Sequence, residues 1–332
     1  MSQSIFICYT AKHLINAIGF SETIGGECLV VIVYENQWLD PETLFRVREY
    51  IHWCDFVLVK IKGKKIYRKI LAILCQHGLI RKKVVNIKIG CLIDEKEKER
   101  RWYLFHDSPL LSKIVLAYSG CASLVEEGES NYFDFCNELP LRQRLRYVLF
   151  AMPYPLGRDR RIREVYLKNP GRAPMDIQAK VRGLSLTQSN EAGCRIAKAF
   201  LPDKTLHNIV GKKSKSLLIL TQNLALVGLD QADIRSIYGS IIFERAGLDT
   251  SIYIKPHPAD ETDYSCLVGV TIIPKQIPIE ALNYLDVEID EGVSIIKSST
   301  QDLNIVKRWT ILLSNVQLVE QVHPDKLKEL AQ

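Results

Sequence analysis

Three short clusters in this chain combine residue types able to bind or transfer a charged group. The first is Val125-Glu126-Glu127-Gly128-Glu129-Ser130-Asn131-Tyr132, an apolar run ending in two adjacent carboxylates and a glycine. Neighbouring like charges repel, which favours a raised pKa in one of the pair, and a carboxylate at a strand's end can take a proton from a hydroxyl. The second is Ile252-Tyr253-Ile254-Lys255-Pro256-His257-Pro258, where two prolines fix the backbone around one imidazole. Lys255 supplies a point charge and His257 a hydrogen bond or a proton near neutral pH, a combination suited to an anionic group. The third, Lys297-Ser298-Ser299-Thr300-Gln301-Asp302, precedes a helical pattern. Hydroxyls and unpaired backbone N–H groups at a helix start can cradle a phosphate. Each cluster also has a plainer reading, as an acidic loop, a rigid turn and a helix cap respectively. Two further stretches are weaker. Leu220-Thr221-Gln222-Asn223 could present amides to a base or sugar, and Ile277-Pro278-Ile279-Glu280 places a carboxylate where ribose hydroxyls could donate to it. Proline and glutamate are equally what any helix start uses.

The elements that must position these residues follow an α/β rhythm. Short β-branched runs alternate with helical patterns, the signature of a parallel sheet covered by helices. Strands are expected at Ser4 to Cys8, Leu29 to Tyr34, Phe56 to Ile61, Trp102 to Phe105 and Ala122 to Val125. Helices are expected over Ala11 to Phe20, from Pro41 toward Trp53, over Tyr67 to Cys75 and over Leu110 to Tyr118. Each of three strands then ends in a polar loop: Tyr9-Thr10, His106-Asp107-Ser108 and Glu126-Glu127-Gly128. Ligands of open α/β sheets bind at such carboxyl ends. Between Pro140 and Arg172 eight arginines accumulate beside Pro153, Pro155 and Pro170, which reads as a surface or linking region. The rhythm then restarts with a helix near Glu191 to Phe200, a strand at Ser216 to Leu220, a helix over Ile234 to Ala246 and a strand at Ser251 to Ile254. Short elements at Thr271 to Ile273, Val293 to Ile296 and Thr310 to Leu313 complete the second unit. The expected division is 1–205, including the basic segment 140–172, and 206–332.

Composition sets the outer limits. With 332 residues, 47% hydrophobic and 25% charged, the chain can bury two cores and is neither disordered, collagen-like nor a disulfide scaffold. Its nine cysteines are odd in number, widely spaced and mostly within apolar runs, which is reduced-thiol usage. No Cys-x-x-Cys pair occurs, so a structural zinc site has little support. No apolar run approaches the length of a membrane span, and Lys12 and His13 interrupt any leader-like opening. A cytoplasmic location is expected.

In their order, an acidic pair with glycine, then Lys-Pro-His-Pro, then Ser-Ser-Thr, these clusters resemble bacterial sialyltransferases of the lipooligosaccharide and polysialyltransferase type. Those enzymes carry short acidic-acidic-Gly, His-Pro and Ser-Ser/Thr motifs. The likeness extends to Ile5-Phe6-Ile7-Cys8-Tyr9-Thr10-Ala11-Lys12-His13-Leu14 and to Leu218-Ile219-Leu220-Thr221-Gln222. The resemblance implies a GT-B-type glycosyltransferase with two Rossmann-like domains facing a central cleft, a CMP-sialic acid donor, inversion at the anomeric centre, and neither metal nor cofactor. It implies that Glu126 is the general base, although both acidic residues are Glu here and Glu127 remains the alternative. It makes His257 the contact and acid for the leaving phosphate, and it places Ser298, Ser299 and Thr300 on that phosphate. It turns Lys255, Gln222, Thr221 and Glu280 toward the nucleoside and sets Thr10, His13 and Asp107 on the acceptor or sugar side. A monophosphate leaving group suits this set, because charge grows on one phosphate that an imidazole, hydroxyls and N–H groups can stabilise.

Partners and alternatives follow from the same residues. The acceptor is expected to be a hydroxyl of a bacterial surface glycan, lipooligosaccharide or capsule. The arginines of 140–172, flanked by Tyr147, Leu149, Phe150, Met152 and Tyr154, form either a solvated basic surface or a peripheral contact with the inner face of the cytoplasmic membrane. A different CMP-activated nonulosonic acid, of the legionaminic or pseudaminic type, is the alternative donor. A non-catalytic capsule assembly protein is the alternative outside enzymes. Net charge +6 raises nucleic-acid binding, but no helix-turn-helix, zinc-finger or aromatic-stacking signature accompanies it.

Overall fold

The structure is a computed structural model and describes residues 3–33, 40–60, 100–135, 154–186, 190–202, 215–247, 249–285, 287–295 and 303–312. The chain divides into two compact units, Met1–Ala192 and Gly193–Gln332. This boundary falls inside the helix Asn190–Phe200, earlier than the expected break after residue 205.

In the first unit β1 (Ser4–Cys8), α1 (Ala11–Ile24), β2 (Cys28–Val33), α2 (Pro41–Tyr50) and β3 (Asp55–Val59) lead to β4 (Arg101–Leu104), α3 (Leu110–Ser119) and β5 (Ala122–Val125). β6 (Ile162–Leu167) and β7 (Val181–Gly183) follow. All pairings are parallel, in the order β3-β2-β1-β4-β5-β6-β7. The sequence explains which strands are central. SIFIC and CLVVIV are buried along their whole length, as strands covered on both faces must be. Helix starts are fixed by side chains that satisfy orphan N–H groups: Thr10 accepts from the His13 amide, and Asp40, ahead of Pro41, accepts from the Thr43 amide. At the other end of α3, Gly120 takes the left-handed conformation (φ 71°) that stops a helix.

The second unit repeats the plan. It contains α4 (Asn190–Phe200, shared across the boundary), β8 (Lys215–Leu220), α5 (Gln231–Arg245) capped by Asp230, β9 (Thr250–Lys255), β10 (Val270–Ile272), a 3₁₀ segment Ile279–Tyr284, β11 (Ile289–Ser294) and β12 (Val306–Ile311). Its strands are again parallel, ordered β10-β9-β8-β11-β12. Each unit has its own core, built around Ile5, Val31, Leu104 and Ile114 in the first and around Leu217, Tyr238, Ile254 and Val293 in the second.

One expectation is corrected here. The segment read as surface or linker contains β6, a strand inside the first sheet. Ile162, Val165 and Leu167 are buried while Arg163 faces out, so charges on the outward positions hid the strand pattern. Three of the arginines around it are engaged within the fold. Arg158 binds Asp176 (2.5 and 3.0 Å) and lies over Phe135, Arg161 binds Asp159 (2.7 Å), and Arg172 stacks on Tyr132. Arg142, Arg144 and Arg146, like the helix expected over Tyr67 to Cys75, lie outside the described residues.

Candidate active site

In the first sheet β1 and β4 are neighbours, but β1 runs on to β2 and β4 runs on to β5, so the loops leaving their carboxyl ends diverge. That is the switch point at which open α/β sheets form a crevice. Three side chains meet beside it. His13, in the first turn of α1, is buried, stacks on Phe105 (ring centroids 4.7 Å apart) and accepts the Tyr9 amide on Nδ1 (3.2 Å). Its Nε2 lies 3.5 Å from Glu127 Oε1. His106, directly after β4, accepts the Ser108 amide on Nδ1 (3.1 Å) and sets Nε2 4.0 Å from Glu127 Oε2. A neutral imidazole that accepts on Nδ1 carries its proton on Nε2, so both rings turn an N–H toward the carboxylate. Burial pushes the His13 pKa down, which keeps the ring neutral despite Glu127. Burial works to raise the Glu127 carboxyl, but the facing imidazoles of His13 and His106 and the charge of Lys12 outweigh it and lower the pKa. Glu127 is therefore an ionised, partly exposed carboxylate, and the Asn131 side chain fixes its loop by accepting the Glu127 and Gly128 amides (2.8 and 3.0 Å).

Glu126 has a different environment. It is 5% exposed, and its Oε2 accepts the Tyr132 hydroxyl (2.6 Å) and the Lys168 amide (2.7 Å). These bonds tie the loop after β5 to the end of β6. Asp107 also turns inward, a correction to its expected place on the acceptor side. It is fully buried and accepts the amides of Leu156 (2.8 Å) and Gly157 (3.1 Å). That loop takes left-handed backbone at both residues (φ 62° and 98°), and the two Asp107 oxygens accept one of its N–H groups each. Thr10 is the cap of α1 and is exposed.

In the second sheet the switch point lies between β8 and β11, and Gln222 Nε2 donates across it to Ser294 Oγ (3.3 Å). Thr221 follows β8 directly. Its hydroxyl donates to Asp260 (2.6 Å) and accepts the His257 amide (3.0 Å). Asp260 also accepts the Tyr264 hydroxyl (2.7 Å) and the Thr262 amide (3.0 Å), and its own amide donates to the His257 carbonyl (2.8 Å). The Pro-His-Pro loop is thus fastened from below, while the His257 side chain stays exposed. Its Nδ1 accepts the Ala259 amide (3.1 Å), which leaves Nε2–H as a donor for a ligand. Partial burial of the ring and the charge of Lys255 lower its pKa, against the pull of Asp260. Lys255 corrects the expectation that it faces a nucleoside. It is 6% exposed and spends its ammonium on the carbonyls of Pro256 (2.8 Å) and Lys275 (3.2 Å), with its pKa brought down to about 8 by burial against the attraction of Glu280. Glu280 is buried in the 3₁₀ segment. Ser298, Ser299 and Thr300 lie outside the described residues.

The site residues overlooked in the sequence are His106, Asp260 and Tyr264. His106 stood in a loop already marked as a strand end, and Asp260, three residues after His257, fits the short acceptor that orders a turn. Among the described residues no group of three or more His, Cys, Asp or Glu could hold a metal ion, and no helix is long and apolar enough to cross a membrane.

No family model matches the sequence. An uncharacterized protein of Haemophilus influenzae is 24% identical over 198 residues, 57% of this chain and 61% of that protein, so the match spans less than two thirds of the relative's length. Among solved structures, Arabidopsis thaliana UGT89C1 complexed with UDP superposes with a TM-score of 0.53 at 8% identity, covering 99% of this chain and 93% of that one. The S. aureus MnaA-UDP co-structure gives 0.52 at 12% identity, covering 100% and 87%. At this identity the likeness speaks to the fold alone, and the fold is of the GT-B type, two α/β units each built on a parallel sheet.

Proposed function

We propose that this protein is an inverting glycosyltransferase that moves sialic acid from CMP-sialic acid to a hydroxyl of a bacterial surface glycan, lipooligosaccharide or capsule, without a metal. Two observations, each made within its own unit, support this reading: an ionised, partly exposed carboxylate (Glu127) at the carboxyl end of the first parallel sheet, and an exposed imidazole that offers Nε2–H (His257) at the carboxyl end of the second. In the reaction Glu127 takes the proton of the acceptor hydroxyl as its oxygen bonds to the anomeric carbon. The bond from that carbon to the phosphate oxygen breaks, and His257 donates to the departing CMP. Burial and two hydrogen bonds give Glu126 the work of supporting this loop, so the base assigned to it by motif position passes to Glu127. Gln222 and Glu280 remain the nucleoside-side candidates, and Ser298, Ser299 and Thr300 those for the phosphate.

Solved neighbours complexed with UDP and with UDP-L-rhamnose support a nucleotide-sugar donor. The choice of CMP and of an acidic sugar rests on the three motifs. Arg158, Arg161 and Arg172 of this segment are engaged within the first unit, so the proposal stops short of a membrane contact. The test is incubation with CMP-sialic acid, its legionaminic and pseudaminic counterparts and UDP-sugars, each with a panel of terminal galactosides and sialosides. Acceptor-dependent release of CMP with a sialylated product of inverted configuration is expected. Turnover of UDP-sugars alone would overturn the donor assignment, and turnover of a different CMP-nonulosonate alone would reassign the sugar.

A further inference from the structure

We propose that His13 and His106 form a two-imidazole clamp that holds Glu127 between their Nε2–H groups and presents it in one orientation as the proton-accepting carboxylate. This rests on the reading of Glu127 as the base. Three elements supply the parts: α1 gives His13, the loop after β4 gives His106, and the loop after β5 gives Glu127. The two rings address different oxygens, Oε1 at 3.5 Å and Oε2 at 4.0 Å.

What makes this more than proximity is the repeated use of the backbone. Each ring has its Nδ1 occupied by a main-chain amide, Tyr9 for His13 and Ser108 for His106. The tautomer is therefore set by the fold, and while each ring is neutral its proton sits on the Nε2 that lies on the carboxylate's side. Stacking on Phe105 locks the plane of His13. His106, about one third exposed, forms the outer jaw. With one ring beside each oxygen, at 3.5 and 4.0 Å, the carboxylate is flanked on both sides and keeps its lone pairs for an incoming hydroxyl.

The groups that face Glu127 are His13 and Lys12 from α1 and His106 from the β4 loop. Asp107 lies 3.9 Å from the far side of the His106 ring, and the neighbouring Glu126 is turned to Tyr132 and Lys168. The positive and donor groups together hold Glu127 ionised, so loss of either imidazole should make it a stronger base in a poorer position. The two effects separate in a pH profile.

The experiment uses full-length protein labelled at histidine nitrogens and glutamate carboxyls, in wild type, His13→Gln and His106→Gln. In wild type both rings should give the Nε2–H signature near neutral pH, and an Nδ1–H form in either would overturn the clamp. In each variant the Glu127 carboxyl should titrate at higher pH. The acid limb of kcat/KM should move up with it, by about one pH unit, while kcat falls about 10- to 100-fold and KM for the donor stays within about twofold. An unchanged Glu127 titration in the exposed variant His106→Gln would overturn the clamp even where the buried His13→Gln fails to fold. The magnetic resonance readouts do not need turnover. Inactive wild type would therefore count against the function proposed above, whereas active wild type with an unmoved acid limb in the variants would count against the clamp.

Discussion

The adjacent glutamates offer a crossed experiment in which stability and turnover should part company. Glu126→Ala removes a buried acceptor from two donors, the Tyr132 hydroxyl and the Lys168 amide. A buried polar group left without its partner costs about 1–3 kcal/mol, and Tyr132 can recover part of this from water, so the net loss is about 2–4 kcal/mol. In a unit of this size that corresponds to a fall in Tm of roughly 5–15 °C. Glu127→Gln keeps the volume and one acceptor oxygen for the histidines, and its amide can turn to solvent because the side chain is partly exposed, so its Tm should stay within about 2 °C of wild type. Its proton acceptor is gone, and removal of a general base lowers the rate by about 10²- to 10⁴-fold, or about 3–5 kcal/mol of barrier. The assays are differential scanning calorimetry and CMP release at saturating donor. Glu126→Ala, corrected for its folded fraction at low temperature, should keep activity within about tenfold of wild type. The opposite pattern, an inert but fully stable Glu126 variant beside an active Glu127→Gln, would refute the division of labour drawn from burial and hydrogen bonding.

His257→Ala should lower turnover about 10²- to 10³-fold with little change in Tm, because the ring is exposed and among the described residues only Ala259 bonds to it, whereas Asp260→Ala should destabilise the second unit by about 3 kcal/mol in a urea titration by stranding three donors. Gly292→Ala would put a methyl 2.6 Å from the Trp309 ring, and such overpacking should cost about 1–3 kcal/mol, read from the same titration. Lys255 gives a pH signature: its folded pKa of about 8 lies below the usual value of about 10.4, so it penalises the folded state fully below pH 8 and the penalty fades as pH rises toward 10.4. Relative to Lys255→Met, wild type should thus gain stability between those limits, as measured by denaturant unfolding at a series of pH values.

Much of this architecture was legible because the central strands are written in residues with no alternative use. SIFIC and CLVVIV can only be buried, and Thr10, Asp40 and Asp230 stand where helices need caps. β6 escaped because an edge-like alternation of Ile, Arg, Glu and Val resembles a charged surface until its neighbours are known. The site was legible as clusters but not as roles. Adjacent side chains at a strand end point to opposite sides, so one glutamate had to turn in. Which one depended on Tyr132 and Lys168, the latter far along the chain. Lys255 misled for a similar reason. A lysine beside a histidine reads as a ligand for an anion, yet here two backbone carbonyls satisfy its ammonium. The Nδ1 contacts of the histidines come from main-chain amides, which residue types do not announce.

The order of the first sheet also dictates when, during synthesis, this chain can become competent. β1 pairs with β4 in register from Ser4 with Arg101, so its second neighbour emerges from the ribosome roughly a hundred residues after it, and closing that span costs about 4 kcal/mol in chain entropy. Until then β1 can pair only with β2, and His13 has neither His106 nor Glu127 to face. A nascent chain halted before β5 would carry a partial sheet with the open flank of β1 or β4 exposed as an edge, a template for unwanted pairing that the cell's folding assistants must shield.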